Sequence, residues 1–347
     1  MRVLGSAFAL ALGLCLSAGL HAQSAPQIVW SVPGAHLPNY PYPIRGVAWS
    51  PGGTRVAFGS ADRWIRVRSA STGALAWELK QQPDRIGGIE HLAYSNDGTQ
   101  IAVYNTNRPL AYRVHRASDG VFLGSLVITF EPSERVRFAP DAQLTTSTGD
   151  TTMSRWRLSN FSVVRVIGVG YNKVTTNWVF SPGGTLQASA SEGTITVQRR
   201  SDGAVVALIT GGNRKGITPM AFSPDGARLA AWARWPNETT LYRASDGAVA
   251  MRFPNANRFE NVAFLRFSPG GTRLVTTGYD TYAAPDGSTA KRGMIRFWRV
   301  ADGALRHSFG AGTGTQVTSP VAWSPDFTRF AFGTQEATAV VAVVPAP

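Results

Sequence analysis

The stretch Met220–Trp232 reads MAFSPDGARLAAW, and its pattern occurs seven times in the chain. Each copy has an aromatic residue, a Ser-Pro pair or a close variant of it, a turn of Asp-Gly or Gly-Gly type, and then a short apolar run. Such punctuation predicts a tight turn between two strands. The seven landmark aromatic residues are Trp49, Tyr94, Phe138, Phe180, Phe222, Phe267 and Trp323.

The spacing of these landmarks indicates the architecture. Successive landmarks are 45, 44, 42, 42, 45 and 56 residues apart, a period typical of four-stranded propeller blades. From residue 23 onward the sequence shows short β-rich runs and no helical periodicity, so the predicted fold class is all-β. In the first unit the four strands, named a to d in chain order, are predicted at Gly46–Trp49, Arg55–Gly59, Ile65–Arg68 and Ala74–Leu79.

The seventh unit lacks a d strand, and the missing strand is predicted at the other end of the chain. Gln27–Val32 aligns with the d strand Ala74–Leu79, and Trp30 then matches Trp77. Pairing the first and last segments in one blade closes the ring and covers two sheet edges. We therefore predict one domain over 23–347, a seven-bladed β-propeller of four-stranded antiparallel blades. The other d strands are predicted at Val121–Leu126, Ser162–Ile167, Ala204–Ile209, Ala248–Phe253 and Ala304–Phe309.

The turn between strands c and d is also repeated, mostly as Ser-Asp-Gly. Aspartate bonds the nearby backbone and glycine tolerates a positive φ, so both residue types follow from turn geometry. We interpret these aspartates as turn residues rather than as a metal or catalytic set. They are Asp119, Asp202, Asp246 and Asp302.

The first 22 residues have the pattern of a cleaved secretory signal peptide. Arg2 precedes an apolar run, and Ala22 is followed by polar Gln23, which predicts cleavage after Ala22. The alternative is an uncleaved membrane anchor, for which the run is marginally long enough. Cleavage would remove Cys15, the single cysteine, and leave no transmembrane span. We expect an exported protein, periplasmic or extracellular, without disulfides.

The formal net charge of +13 favours an anionic partner. For an exported protein, an acidic polysaccharide or an anionic lipid surface ranks above nucleic acid. The alternative is that scattered arginines only keep the strand faces soluble.

The repeated units resemble WD-repeats, the propeller family whose blades carry an aromatic-Ser-Pro-Asp-Gly turn and a strand that ends in Trp-Asp. The resemblance covers Gln27 to Val344. Trp156 and Trp298 stand at the tryptophan position, although Arg157 and Arg299 follow them, and the family's Gly-His pair is absent. The b–c turn aspartates of the family match Asp62, Asp150 and Asp280. Because members of the family mostly bind partners, the resemblance implies a non-catalytic binding scaffold.

The sequence offers no catalytic residue, metal site or cofactor site. The histidines after the signal peptide have no metal-ligand spacing, and the catalytic motifs His-Glu-x-x-His and Gly-x-Ser-x-Gly do not occur. The glycine-rich Gly310–Thr315 joins two strands with no helix to present amides to a phosphate, so we interpret it as a flexible connection.

A binding surface is predicted where the b–c and d–a loops meet, because these loops vary and carry cations and aromatic rings. The monotonous turns at the opposite end are interpreted as scaffold. Blade six has an insertion, predicted as a long b–c loop over Tyr279–Gly293. The alternative is an ordinary surface, with Trp64 and Trp235 packing between blades. The candidate binding residues are Arg63, Trp64, Arg108, Tyr171, Lys173, Arg214, Lys215, Arg234, Trp235, Arg258, Tyr279, Tyr282, Lys291 and Arg292.

These observations favour an exported, monomeric and non-catalytic propeller that binds a protein or an anionic envelope polymer through this loop surface. One alternative is a hydrolase or lyase acting on a polysaccharide through carboxylates such as Asp150, Glu192 and Asp280. Another is a structural subunit of an envelope complex.

Overall fold

The computed structural model shows 28 strands and no helix in the residues that it describes. The strands form seven four-stranded antiparallel sheets, which confirms the all-β propeller architecture. Strands start and end within two residues of the bounds predicted for them above, apart from the blade-six insertion. The described residues are 27–33, 42–81, 88–105, 111–127, 136–138, 144–147, 152–159, 162–168, 177–191, 193–210, 217–234, 237–253, 260–283, 287, 289–310, 317, 321–335 and 337–345.

Each of the first six blades takes four consecutive strands, which pair in chain order from a to d. Blades one to three are β2 (Ile44–Trp49), β3 (Arg55–Ser60), β4 (Trp64–Ser69) and β5 (Leu75–Lys80); β6 (Ile89–Tyr94), β7 (Gln100–Asn105), β8 (Ala111–Arg116) and β9 (Phe122–Val127); and β10 (Val136–Phe138), β11 (Leu144–Ser147), β12 (Thr152–Arg157) and β13 (Ser162–Gly168). Blades four to six are β14 (Asn177–Phe180), β15 (Leu186–Ser191), β16 (Thr194–Arg199) and β17 (Val205–Thr210); β18 (Ile217–Phe222), β19 (Arg228–Ala233), β20 (Glu238–Arg243) and β21 (Val249–Phe253); and β22 (Glu260–Phe267), β23 (Arg273–Ala283), β24 (Thr289–Arg299) and β25 (Leu305–Gly310).

The seventh blade is completed by the N-terminal strand, as predicted. Its strands are β26 (Ala322–Trp323), β27 (Arg329–Gly333) and β28 (Thr338–Val343), and β1 (Ile28–Pro33) pairs antiparallel with β28. The predicted match of Trp30 to Trp77 also holds in detail. The Trp30 indole donates to the Ala70 carbonyl of blade one at 3.1 Å, and Trp77 donates to Ala117 of blade two at 3.0 Å. Each indole therefore ties its blade to the next one.

The serine of the repeated Ser-Pro turn holds the turn together by a hydrogen bond to the backbone. In blade five, Ser223 Oγ accepts a hydrogen bond from the Arg228 amide at 2.9 Å, five residues on, and the same bond recurs in blades one, two, four, six and seven. Gly226 takes a φ of 73°, where glycine is favoured. In blade seven Phe327 takes this position with a φ of 55° and packs its ring on Trp323.

The aspartates of the c–d turns bond their own turn, as predicted. Asp119 accepts hydrogen bonds from the Arg116 guanidinium at 2.7 Å and from the Val121 amide at 3.1 Å. The bond from Arg116 is the main cause that lowers the pKa of the Asp119 carboxyl. Equivalent arginine–aspartate pairs hold the turns at Asp202, Asp246 and Asp302.

A buried chain of polar groups in blades one and two holds His115 in its neutral form. Arg113 donates to Gln81 Oε1 at 3.2 Å, and Gln81 Nε2 lies 3.0 Å from His115 Nε2. His115 Nδ1 lies 2.9 Å from the Gly120 carbonyl, so Nδ1 donates there and Nε2 accepts from Gln81. A second proton on Nε2 would face the Gln81 amino group. Burial is the main cause that lowers the pKa of His115, and the charge of Arg113 lowers it further.

We expect the free energy of unfolding to fall as the pH falls below about 6.5, the ordinary histidine pKa. Because the folded pKa is lowered, the unfolded chain holds more protons between the two pKa values, so stability is full above the unfolded pKa and is lost on acidification. The loss is at most about 1.4 kcal/mol per pH unit for this one group. Urea denaturation at about pH 7.5 and about pH 5.5 should show a smaller loss in His115→Gln than in the wild type. His307→Gln, at a half-buried histidine, is the control, and an equal loss in wild type and His115→Gln would contradict the prediction.

The predicted signal peptide, residues 1–22, lies outside the described residues and stays a prediction. Among the residues that the structure describes, no helix is long and apolar enough to cross a membrane.

Candidate functional site

Half of the predicted binding residues can be placed. Arg63, Trp64, Arg234 and the four residues of the blade-six insertion lie in the described part of the chain, at the b–c ends of blades one, five and six. The others lie outside it, so their prediction is untested: Arg108, Tyr171, Lys173, Arg214, Lys215, Trp235 and Arg258.

The insertion in blade six was predicted as a loop, and this was wrong for most of its length. β23 and β24 each have 11 residues and remain paired along the insertion, from Tyr279 opposite Gly293 to Ala283 opposite Thr289. The two strands therefore form a hairpin, here called the blade-six hairpin, that extends the b–c end of the blade. The pairing continues because the inserted residues Thr281 and Tyr282 favour strands, and they lie opposite Lys291 and Ala290 of β24.

The blade-six hairpin carries one cation–aromatic pair on each of its faces. Lys291 Nζ lies 4.6 Å from the centre of the Tyr279 ring, and the Arg292 guanidinium lies 5.7 Å from the Tyr282 ring. Neighbouring residues on a strand point to opposite faces, so the two pairs are separated by the sheet. Lys291 is exposed and the other three side chains are half-buried. The structure thus brings together four of the predicted binding residues.

An ion pair buried within blade six was not anticipated by the sequence reasoning. Arg296 Nη2 donates to both Asp280 carboxylate oxygens, at 2.6 and 2.7 Å, and the two side chains are 4% and 6% exposed. Asp62 and Arg66 form the corresponding pair in blade one, at 3.3 Å. The two arginines occupy equivalent positions in their blades. Arg66 lies opposite Phe58 on the neighbouring strand and Arg296 lies opposite Thr276, and Phe58 and Thr276 each come nine residues after the landmark aromatic of their unit. The aspartate and arginine are 4 residues apart in blade one and 16 residues apart in blade six, because the insertion lies between them. The difference in spacing is why the sequence did not show that the two pairs are equivalent.

The b–c turn of blade one is a tight, positively charged corner. Arg63 has a φ of 73° and joins β3 to β4. The half-buried ring of Trp64 lies 5.3 Å from the Arg66 guanidinium and 5.7 Å from Lys80 Nζ. Trp64 therefore packs against cations of its own blade. In blade five Arg234 is exposed at the end of β19.

The described acidic residues at this end serve the fold. Asp280 is held by Arg296, and Asp62 accepts hydrogen bonds from Ser60 and the Trp64 amide. Asp150 and Glu192, which the enzyme hypothesis also requires, lie outside the described residues. In the part of the chain that the structure describes, no group of three or more His, Cys, Asp or Glu residues is gathered in a way that could hold a metal ion.

The structure also contains a cavity at the opposite end of the blades, where we predicted only scaffold. It measures about 670 Å³ and is lined by residues of β2, β6, β14, β18, β22 and β26 and of the a–b turns that follow them. Arg266 of β22 is among its lining residues and was not a predicted site residue. A sequence signal was present: Arg266 directly precedes its landmark aromatic, where four other units have an alanine, one has Val179 and unit three has Arg137.

Comparison with known proteins agrees with the fold. Residues 30–69 match the WD40 family model, described as WD domain, G-beta repeat. The chain is 29% identical over 91 residues to the WD repeat-containing protein WDS homolog of Arabidopsis thaliana. That alignment covers 26% of this chain and 15% of the Arabidopsis protein. Part of the chain is thus similar to WD40 repeats, and the seven four-stranded sheets built on a repeated aromatic-Ser-Pro turn agree with a β-propeller of the WD40-repeat type.

Proposed function

We propose that the protein is an exported, non-catalytic interaction scaffold that binds an acidic partner through the b–c end of its blades. WD40 repeat proteins are generally non-catalytic scaffolds for protein interactions. The observation that carries the proposal is the blade-six hairpin, which extends from the b–c end and presents a cation beside an aromatic ring on each face. Export rests on the predicted signal peptide.

The chemistry of the hairpin suits an anionic surface. Lysine and arginine donate charge-assisted hydrogen bonds to carboxylate or phosphate oxygens, and tyrosine adds apolar area with a polar tip. The rings of Tyr279 and Tyr282 hold the cations in place through cation–π contacts, so less side-chain freedom is lost on binding. The paired strands beneath them fix their positions better than a loop would.

The net charge of +13 favours an anionic envelope polymer as a second candidate partner. The positive charges are spread over the molecule, and some of them are already neutralised. Arginines at four c–d turns are each paired with a turn aspartate. A partner that recognises the hairpin would therefore sense local charge and shape, whereas a polymer would respond mainly to total charge.

Reversing the charge of the hairpin should abolish capture of the partner. We expect Lys291→Glu/Arg292→Glu to lose at least about tenfold in affinity, since each charged hydrogen bond contributes about 1.5–3 kcal/mol. The measurement is affinity capture from the native envelope with the mature protein, followed by titration of the captured partner and of isolated envelope polymer.

The matched control is Arg55→Glu/Arg228→Glu, which changes the net charge equally at the first residues of β3 and β19, at the a–b end. Loss of binding only in the hairpin variant supports the proposal. Equal capture by both variants and the wild type would exclude the hairpin. Equal weakening in both would indicate a polymer attracted by total charge, and turnover of a glycan by the wild type would establish the enzyme alternative.

A further inference from the structure

We propose that the cavity at the a–b end of the blades binds a small organic anion, and that Arg266 recognises its acidic group. This site is separate from the blade-six hairpin, which lies at the b–c end. The proposal therefore does not depend on the proposed function.

The cavity lies along the innermost strands of the propeller. Its wall is formed by the a strands of six blades, of which β2 lies beside β6, and β18 lies between β14 and β22. The residues of the Ser-Pro turns surround its mouth, including five prolines: Pro51, Pro182, Pro224, Pro269 and Pro325. A volume of about 670 Å³ falls within the range of roughly 300–1,000 Å³ typical of small-molecule sites.

The surroundings of Arg266 favour the binding of an anion. Its side chain is exposed to the cavity, and its guanidinium forms no hydrogen bond or ion pair with any described residue. Loss of hydration lowers its pKa, with no neighbouring charge that raises it. By contrast, the buried guanidinium of Arg296 is paired with the Asp280 carboxylate. An arginine partly removed from water and left without an anion is costly, and a bound acidic group would offset that cost.

The remaining lining indicates what the ligand must look like. The described lining residues are mostly apolar, with small alanines beside large aromatic rings, and they include no aspartate or glutamate. Arg266 is the one lysine or arginine among the described lining residues, and a single cation matches a ligand with one acidic group, which it orients while the alanines and rings of the wall contact the apolar body.

The test uses the mature protein and a defined set of probes: straight-chain monocarboxylates from butyrate to decanoate, the alkyl phosphates of the same lengths, and the matching alcohols. Isothermal titration should show that at least one acid binds the wild type and that the alcohol of the same length binds at least about tenfold more weakly. Arg266→Gln should weaken that acid at least about tenfold and leave the alcohol unchanged, and Arg266→Lys should retain part of the affinity.

Two controls separate binding from a structural role. Arg228→Gln removes an exposed arginine that does not line the cavity, and Lys291→Glu/Arg292→Glu alters the hairpin; both should bind the acid as the wild type does. Arg266→Gln should unfold at the same temperature as the wild type or a higher one, because no described partner is lost. The proposal is overturned if no acid binds, if Arg266→Gln binds acids as well as the wild type, or if Arg266→Gln lowers the unfolding temperature.

Discussion

Replacing Asp280 with alanine is expected to lower the free energy of unfolding by about 3–5 kcal/mol, the usual cost of removing one partner of a buried ion pair. Arg296 Nη2 donates to both carboxylate oxygens of Asp280, and both side chains are almost completely buried. Without Asp280 the guanidinium stays buried and loses both hydrogen bonds to the carboxylate. The measurement is urea denaturation of the mature protein at neutral pH.

The pair in blade one provides the matched comparison. Arg66 has Glu78 at 3.3 Å and Ser60 Oγ at 3.2 Å in addition to Asp62, so Asp62→Ala leaves its guanidinium with two partners. Asp62→Ala should cost less than Asp280→Ala, because the Asp62–Arg66 pair is also longer, at 3.3 Å against 2.6 Å, and more exposed. The double variant Asp280→Ala/Arg296→Met should recover most of the lost stability, because it removes the buried charge that has lost its carboxylate. An Asp280→Ala variant as stable as Asp62→Ala, or a double variant less stable than the single one, would show that the pair does not act in this way.

The sequence predicted the blades well because local chemistry repeats there. Each Ser-Pro turn combines a serine that bonds the amide five residues on with a glycine at positive φ, and both signals are visible in one copy such as Phe222–Gly226. The N-terminal strand could be predicted because its sequence aligns with a d strand at Trp30 and Trp77. The alignment has a physical basis, since both indoles donate the same interblade hydrogen bond. Strand positions in this fold are determined by short-range patterns that recur about every 42–45 residues.

The candidate sites were harder to predict because their contacts join residues that are distant in sequence. Residues 284–288 carry turn signals, Pro, Asp and Gly, which suggested a loop for the whole insertion. The pairing of Tyr279 with Gly293 depends on register, which composition does not determine. Arg266 alternates with apolar neighbours, as an exposed strand residue does, and comparison across the units shows an arginine at the same position in unit three, Arg137, so the sequence does not distinguish it.

The two ends of the propeller are built from different kinds of sequence, variable residues at one end and repeated turns at the other. The b–c end carries variable residues, of which the described ones form a cation–aromatic hairpin. The a–b end carries the repeated turns, and the repetition itself builds the wall of a cavity, because six of the blades contribute the same small segment to its described lining. Repeated residues can thus form a site through symmetry, while Arg266, which departs from the alanine of four other units, adds a positive charge to the described lining.

Replacing Phe297 with alanine should lower the free energy of unfolding by about 3–5 kcal/mol, the usual range for a buried phenylalanine. Phe297 is fully buried, and it packs edge-on against Trp323 of blade seven at 5.5 Å and against Phe330 at 6.1 Å between ring centres. The side chain thus fills the interface between blades six and seven, and its removal leaves a cavity between two sheets that are held apart by other large rings. Collapse around it is therefore limited.

Phe122→Ala removes the same side chain where it is 52% exposed, on the outer strand of blade two, and serves as the matched control. It should cost less than Phe297→Ala by about 2 kcal/mol or more, because little apolar area is returned to water and no internal cavity forms.

Urea denaturation gives both values, and hydrogen exchange locates the effect: in Phe297→Ala the amides of β27 and β28 should lose more protection than those of β15 and β16. Equal losses of stability in the two variants would show that the blade six–seven interface is not packed around Phe297. Uniform loss of protection in all four strands would instead mean that the blades unfold as one cooperative unit, so that this interface has no separate stability.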